Sequence, residues 1–169
     1  MKRIMIIGRS GAGKSTFARN LYDVINIPVI HLDQHYHLPN WEEPPKEEWE
    51  EKVKELVEGE EWIMDGNYGG TFDIRMRKAD TIIYLNYSTL SCLHRVIKRT
   101  IKYYGQSRPN MAPGCKERFN LEFLHYVAVF NMIKGKSISK KLESLSESKK
   151  VITLKNDKEV EDFLSNIQP

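Results

Sequence analysis

Nine consecutive residues, Gly8-Arg9-Ser10-Gly11-Ala12-Gly13-Lys14-Ser15-Thr16, carry the strongest chemical signal in this chain. They fit the pattern G-x-x-x-x-G-K-[ST] without departure. Glycines at this spacing let successive backbone N–H groups turn inward on a phosphate, and a helix N-terminus behind them adds positive partial charge. Lys14 is placed to neutralise the β- and γ-phosphates of a nucleoside triphosphate. The Ser15 hydroxyl is placed to ligate Mg2+. Gly8, Ser10, Gly11, Ala12, Gly13 and Thr16 complete the cradle. Such a cradle needs a further carboxylate for the metal, at the end of a neighbouring strand. Asp65 qualifies, because it directly follows Trp62-Ile63-Met64 and opens the turn Asp65-Gly66-Asn67. Asp33 qualifies too, after Val29-Ile30-His31-Leu32. Each also fits a plain turn residue or helix cap, and Asp80, at a strand start, reads only as structural.

The elements that must hold these residues follow from periodicity. Lys2 to Ile7 reads as a buried strand ended by Gly8, and residues 14–25 as a helix with Phe17, Ala18, Leu21 and Ile25 on one face. A short strand over 28–32 follows. Lys46 to Glu58 has the spacing of an amphipathic helix, with Trp49, Val53, Leu56 and Val57 on its apolar stripe. Strands are expected at 62–64, 81–87 and 151–154. Ser88 is placed to cap a helix bearing Leu93, Val96, Ile97 and Ile101. Residues 105–116 read as a loop, 117–134 as a buried helix, 135–149 as a polar stretch with weak helical tendency, and Val160 to Ile167 as a closing helix. Strands alternate with helices throughout. The expected fold is therefore α/β: a three-layer P-loop fold on a parallel, five-stranded sheet covered on both faces. Ligands of such sheets gather at the carboxyl ends of the strands, where the cradle, Asp33 and Asp65 all fall.

Composition bounds the remaining possibilities. A chain of 169 residues with 29% charged residues of mixed sign fits one ordinary domain, residues 1–169, rather than a disordered polyelectrolyte. Its apolar runs are far shorter than the roughly 20 residues a bilayer span needs, and the N-terminus lacks the apolar stretch of a signal peptide. Two cysteines, Cys92 and Cys115, make no disulfide framework. The expectation is a cytoplasmic protein with reduced thiols and no membrane partner. Net charge is +3, but it is unevenly spread. Residues 42–61 hold ten acids against three lysines, the pattern of a solvated helix face. Residues 75–118 hold ten Lys and Arg against two acids, and many are Arg, whose planar fork of donors matches phosphate.

Beyond the cradle, the order and spacing of several segments resemble the adenylate-kinase-like P-loop nucleotide kinases and, more narrowly, the bacterial DNA topology modulation proteins. The residues concerned are Leu32-Asp33, Pro39-Asn40-Trp41, Trp62-Ile63-Met64-Asp65-Gly66-Asn67-Tyr68, Arg75 with Lys78-Ala79-Asp80, and Gly114-Cys115-Lys116-Glu117-Arg118-Phe119. The resemblance implies a kinase that uses ATP and Mg2+, with an acceptor-binding helical insertion at 34–60 and a lid at about 104–118. It places Arg95 and Arg99 on the helix leading into the lid, Arg108 and Arg118 over the phosphates, and Lys155-Asn156-Asp157 beside the donor base. Two departures stand out. The Asp-Gly-x-Pro-Arg of adenylate kinases is replaced by Asp65-Gly66-Asn67-Tyr68-Gly69, which moves the acceptor-holding Arg to Arg75, and the lid has no four-Cys pattern.

Phosphoryl transfer asks a protein for positioning, charge neutralisation and exclusion of water. On that basis Lys14, Arg99, Arg108 and Arg118 are candidates for stabilising the transferring group. Arg75 and Trp41 are candidates for holding the acceptor, with Tyr36 beside them. Asp33 is a candidate for orienting or deprotonating an acceptor hydroxyl. Each Arg alone fits a surface ion pair equally well, and Arg9 and Arg19 read as surface or helix charges. His31, His35 and His37 with Asp33 would also suit a transition metal, although a strand-end and exposed loop histidines are the simpler reading. The favoured function is transfer of phosphate from ATP to a small acceptor, a nucleotide or nucleoside. An ATP-binding regulator of DNA topology is the alternative, supported only by the basic stretch. A guanine-nucleotide switch lacks its Asn-Lys-x-Asp signature.

Overall fold

The computed structural model describes residues 1–145 and 148–167. Five strands, β1 (Arg3–Gly8), β2 (Val29–His31), β3 (Trp62–Asp65), β4 (Thr81–Leu85) and β5 (Lys150–Leu154), form one sheet in the order β2-β3-β1-β4-β5. All four pairings are parallel. Strands this short and apolar are stable only when covered on both sides, and the side-chain alternation of β1 shows how. Ile4 and Ile6 face one core with Phe17, Leu21, Val96 and Val127. Met5 and Ile7 face the other with Trp49, Val53, Met64 and Met76. All four β1 side chains are fully buried, and burial of each stabilises the fold by about 1.5–3 kcal/mol relative to exposure.

The first face is covered by α1 (Lys14–Ile25), α5 (Thr89–Tyr103), α6 (Leu121–Phe130) and α8 (Asp157–Asn166). The second is covered by α3 (Lys46–Leu56), α4 (Phe72–Lys78) and α7 (Lys136–Leu145), with the short α2 (Leu32–Tyr36) leading off β2. Helix α5 starts where Ser88 accepts a hydrogen bond from the Ser91 N–H at 3.2 Å, the cap read from its position. Helix α8 starts in the same way at Asn156, which accepts from the Glu159 N–H at 2.9 Å.

Three local expectations are corrected. The polar stretch after residue 135 is helical over 136–145, because Ile138, Leu142 and Leu145 form a stripe that packs on the second core; residues 146 and 147 lie outside the described residues. The helix expected at 117–134 starts only at Leu121, where Asn120 caps it, since Glu117 is held inside the preceding loop. Its continuation is a π-helical turn, Asn131–Gly135, which shifts the helical register. Val127 and Phe130 are buried, while Leu121, Met132 and Ile133 are exposed, so an all-round apolar face does not mean all-round burial here. Among the described residues no helix is long and apolar enough to cross a membrane, and Cys92 and Cys115 are buried free thiols.

The amino edge of the sheet is clamped by Asp80. Its carboxylate accepts the backbone N–H of Lys2 at 2.9 Å, that of Arg3 at 2.7 Å, and the Thr81 hydroxyl at 2.7 Å. Burial alone would raise its pKa, but the bonds from Thr81, Arg3 and Lys2 outweigh burial and hold it below the ordinary Asp value. A depressed folded-state pKa means that the stabilisation is complete above the unfolded value of about 3.9 and is lost as pH falls through the folded one. Asp80→Ala is therefore expected to cost about 2 kcal/mol at neutral pH. Urea titrations of both proteins should converge as the pH is lowered below about 4. An undiminished gap at acid pH would refute the clamp.

Candidate active site

The loop between β1 and α1 is shaped by close backbone approaches. Gly11 has φ +87°, and a Cβ there would lie 2.3 Å from the Cys92 carbonyl oxygen, so no other residue fits without moving the first turn of α5. The start of the loop is tied to the turn after β3 by Asn67. Its Oδ1 accepts from the Gly8 N–H at 3.1 Å, and its Nδ2 donates to the Gly8 carbonyl at 2.9 Å. Lys14, at the start of α1, folds back over the loop and donates to the carbonyls of Gly8 at 2.9 Å and Arg9 at 3.2 Å. Burial pushes its ammonium below the ordinary lysine value, and the nearby carboxylates of Asp65 and Asp33 oppose that shift.

Ser15 and Asp65 meet. The Ser15 hydroxyl donates to Asp65 Oδ2 at 2.6 Å, and His31 Nδ1 lies 2.6 Å from Asp65 Oδ1. Asp65 is buried, so both oxygens are fixed by partners on β2 and α1. Asn110, from the loop after α5, donates to Ser15 Oγ at 2.9 Å. These are hard oxygen donors side by side at the phosphate cradle, a set suited to Mg2+, which takes one or two protein oxygens and completes its shell with phosphates and water. Among the described residues no group of three or more His, Cys, Asp and Glu is arranged to hold a metal ion. That includes the histidines at 31, 35 and 37 with Asp33.

Asp33, on α2, accepts a hydrogen bond from the Tyr68 hydroxyl at 2.6 Å. Burial first, and then Asp33, push the Tyr68 phenol far above its ordinary range, so it remains a donor. Tyr68 also packs on Tyr36 and Trp49, with ring centroids 4.6 and 5.2 Å away. Tyr68→Phe keeps that packing and deletes one bond. It is expected to cost about 1–3 kcal/mol in chemical denaturation, and an unchanged midpoint would mean that the bond contributes nothing.

Arg99 and Arg108 converge on one buried acid, Glu117. Arg108 Nε lies 2.7 Å from Oε2, Arg99 3.6 Å from Oε1, and the Thr100 hydroxyl donates to Oε1 at 3.1 Å. Burial, and then Arg108, pull the Arg99 guanidinium below its ordinary value, while Glu117 and Asp33 oppose this. The loop that carries Arg108 rests on residues 34–41. Gln34 donates to the Pro109 carbonyl at 2.9 Å, Trp41 Nε1 to the Lys116 carbonyl at 2.9 Å, and Cys115 Sγ lies 3.2 Å from the Leu38 carbonyl.

The structure thus brings together Lys14, Ser15, Asp65, Asp33, Arg99 and Arg108. The other candidates stand elsewhere. Arg75 is fully buried and donates to the carbonyls of Gly66, Asn67 and Tyr68. It shapes the turn after β3 from full burial, with its Nε left without a partner among the described residues, a structural role in place of the acceptor-holding one expected from the sequence. Arg118 is exposed. Arg95 forks onto Asp157 at 2.7 and 2.8 Å and lies over the Tyr87 ring at 4.5 Å, flanking the cradle beside Gly13. Trp41 donates its indole N–H to the Lys116 carbonyl in the loop after α5. Arg9 is a further correction. It is 2% exposed, its guanidinium lies 5.8 Å from the Phe130 ring, and none of its three nitrogens has a hydrogen-bond partner among the described residues. Sequence reasoning missed Asn67, His31 as the partner of Asp65, Asn110 and Glu117. Only Asn67 had a signal, its place in the turn after β3.

No protein-family model matches the chain, and no curated protein matches it. Among solved structures, a deoxyadenosine kinase from M. mycoides with dCMP and dCDP bound is similar to it. That protein is 16% identical, the match covers 96% of each chain, and the TM-score is 0.51. The same kinase with bound dATP aligns with a TM-score of 0.49 over 98% of each chain, and with bound dCTP with 0.48 over 96%, both at 16% identity. At this identity the likeness concerns the fold: a parallel α/β sheet flanked by helices.

Proposed function

We propose that the chain is an ATP-dependent phosphotransferase that moves the γ-phosphate of ATP to a small acceptor, a nucleoside in preference to a nucleotide. The observation that carries this reading is the gathering of Lys14 beside Asp65, Asp33 and Arg99, of Arg99 beside Arg108 and Asp33, and the bond from Ser15 to Asp65. Loop amides and Lys14 hold the triphosphate, and Ser15 and Asp65 would hold Mg2+, which neutralises charge on the β- and γ-phosphates when bound. Arg99 and Arg108 would meet the transferring group. An acceptor hydroxyl oxygen forms the new P–O bond, the bond to the departing ADP breaks, and Asp33 takes the hydroxyl proton. The likeness in fold to a deoxyadenosine kinase is in keeping with this.

Preference for a hydroxyl acceptor rests on charge. With Arg75 committed to the turn, the acceptor side presents Asp33 and the Tyr36–Glu43 pair, bonded at 2.9 Å, which repel a phosphate. Arg95, Trp41, Arg118 and the insertion at 34–60 remain part of the proposal as donor-flanking, acceptor-flanking and lid elements, as does membership of the DNA topology modulation group. The test is label transfer from γ-labelled ATP with Mg2+ to a panel of nucleosides, deoxynucleosides and their monophosphates. At least one nucleoside should be labelled, and Asp33→Asn should slow transfer by about 10²–10⁴-fold. A folded protein that labels none of them, and binds no Mg-ATP in calorimetry, would overturn the reading.

A further inference from the structure

A positively charged concavity lies at the end of the sheet opposite the β1–α1 loop. The parallel register aligns the starts of β1, β4 and β5, so that Arg3, Asp80 and Lys150 come together. The C-terminal turn of α4 overhangs them with Arg77 and Lys78, and Lys149 precedes β5. These residues line an open cavity of about 480 Å³, a size within the range of small-molecule sites. It is separated from Gly8 by the length of β1, about 16 Å at 3.3 Å per residue.

Among the described residues that line this cavity, five are cations and one is an acid. That acid, Asp80, accepts from two backbone N–H groups and the Thr81 hydroxyl and forms no ion pair with these cations among the described residues. Lys78 pairs with Glu58 at the rim at 2.9 Å. Lys149 donates to the carbonyls of Arg77 at 3.1 Å and Ala79 at 2.6 Å, which fixes the end of α4. Arg77 and Lys150 have no carboxylate partner among the described residues. Arg3 Nε is shielded from solvent and has no hydrogen-bond partner among them either. A pocket that gathers cations, leaves guanidinium donors unused and offers little apolar wall suits a compact, highly charged anion better than a nucleobase or an apolar ligand.

We propose that this cavity is a second anion site, which takes a small phosphorylated molecule of the pyrophosphate class through Arg3, Arg77 and Lys150, independently of the cradle. Its concave, single-ligand dimensions favour such a molecule over a nucleic-acid backbone, which would follow an extended basic stripe. The proposal does not rest on the kinase reading.

Calorimetric titration with inorganic pyrophosphate tests it on the full chain. The wild type should take up two equivalents. Lys14→Ala should remove the one at the cradle, and Arg77→Gln/Lys150→Gln should weaken the other by about tenfold or more while leaving Mg-ATP affinity unchanged. Both replaced side chains are exposed, and a thermal melt matching wild type confirms the fold; should the double variant melt early, Arg77→Gln alone serves. A single equivalent lost with Lys14→Ala overturns the second site. A single equivalent lost with the double variant supports it and instead refutes the cradle. A short DNA duplex that displaces pyrophosphate and binds more tightly through the same residues would overturn the small-ligand assignment.

Discussion

Lys14→Ala is expected to weaken Mg-ATP binding by about 10²–10³-fold and to lower phosphotransfer at least as much. The figure is that for removing one preorganised charge-bearing donor from a water-poor site. The ammonium in this protein is already positioned. It lies over the loop, bonded to the carbonyls of Gly8 and Arg9, so that an incoming phosphate exchanges with weak neutral acceptors for a strong charged one. Burial lowers its pKa while Asp65 and Asp33 raise it, so part of the balance is struck between Lys14 and the carboxylates that would hold the metal. Removing the lysine leaves two acids facing a polyanion. Calorimetry with Mg-ATP measures the loss directly. A dissociation constant within about threefold of wild type, in a protein that melts normally, would show that the loop does not grip a triphosphate through this residue.

Glu117→Ala is expected to destabilise the protein by about 3–5 kcal/mol, the usual cost of removing one partner from a buried ionic cluster. In a domain of this size that corresponds to a fall in melting temperature of roughly 10 °C or more. Glu117 is 6% exposed, and it sits between the partly buried Arg99 and Arg108 with a bond from Thr100. Without it two guanidinium groups face each other with no counter-ion. Glu117→Gln keeps an acceptor for Thr100 and should fall between the two. The same cluster makes a second outcome legible. If Arg99 and Arg108 contact the triphosphate, added Mg-ATP should restore more melting temperature to Glu117→Ala than it adds to wild type, because the phosphates supply the missing negative charge. Equal ligand shifts in the two proteins would separate this pair from the phosphate site, and an unchanged melt of the apo variant would refute the cluster.

These effects divide along a physical line. What is local in sequence was legible there. The phosphate cradle is nine adjacent residues whose glycine spacing and strand-helix context describe one backbone shape. The five strands are short apolar runs, and their alternation with amphipathic helices leaves a parallel sheet as the arrangement that covers both faces. Asp65 ends β3 and Asp33 lies in the first turn of the helix that follows β2, and parallel order puts strand ends on one edge. Ser88 announces its helix because a cap acts within three residues. None of this needed knowledge of distant contacts.

Tertiary structure decided which charges are spent and on what. Arg75, Arg95, Arg99 and Arg108 look alike in sequence, but one is held by turn carbonyls, one by Asp157, and two stand beside Glu117 with their Nε atoms lacking a hydrogen-bond partner among the described residues, and nothing local distinguishes them. Arg9 sits inside the cradle motif, yet its burial against Phe130 depends on a helix from the other half of the chain. Asn110 reaches Ser15 across 95 residues, and the polar 136–145 stretch is a helix because its three apolar residues find the second core. A side chain's charge and shape are fixed by its own position, but its partner is fixed by packing, and packing is a property of the whole folded chain.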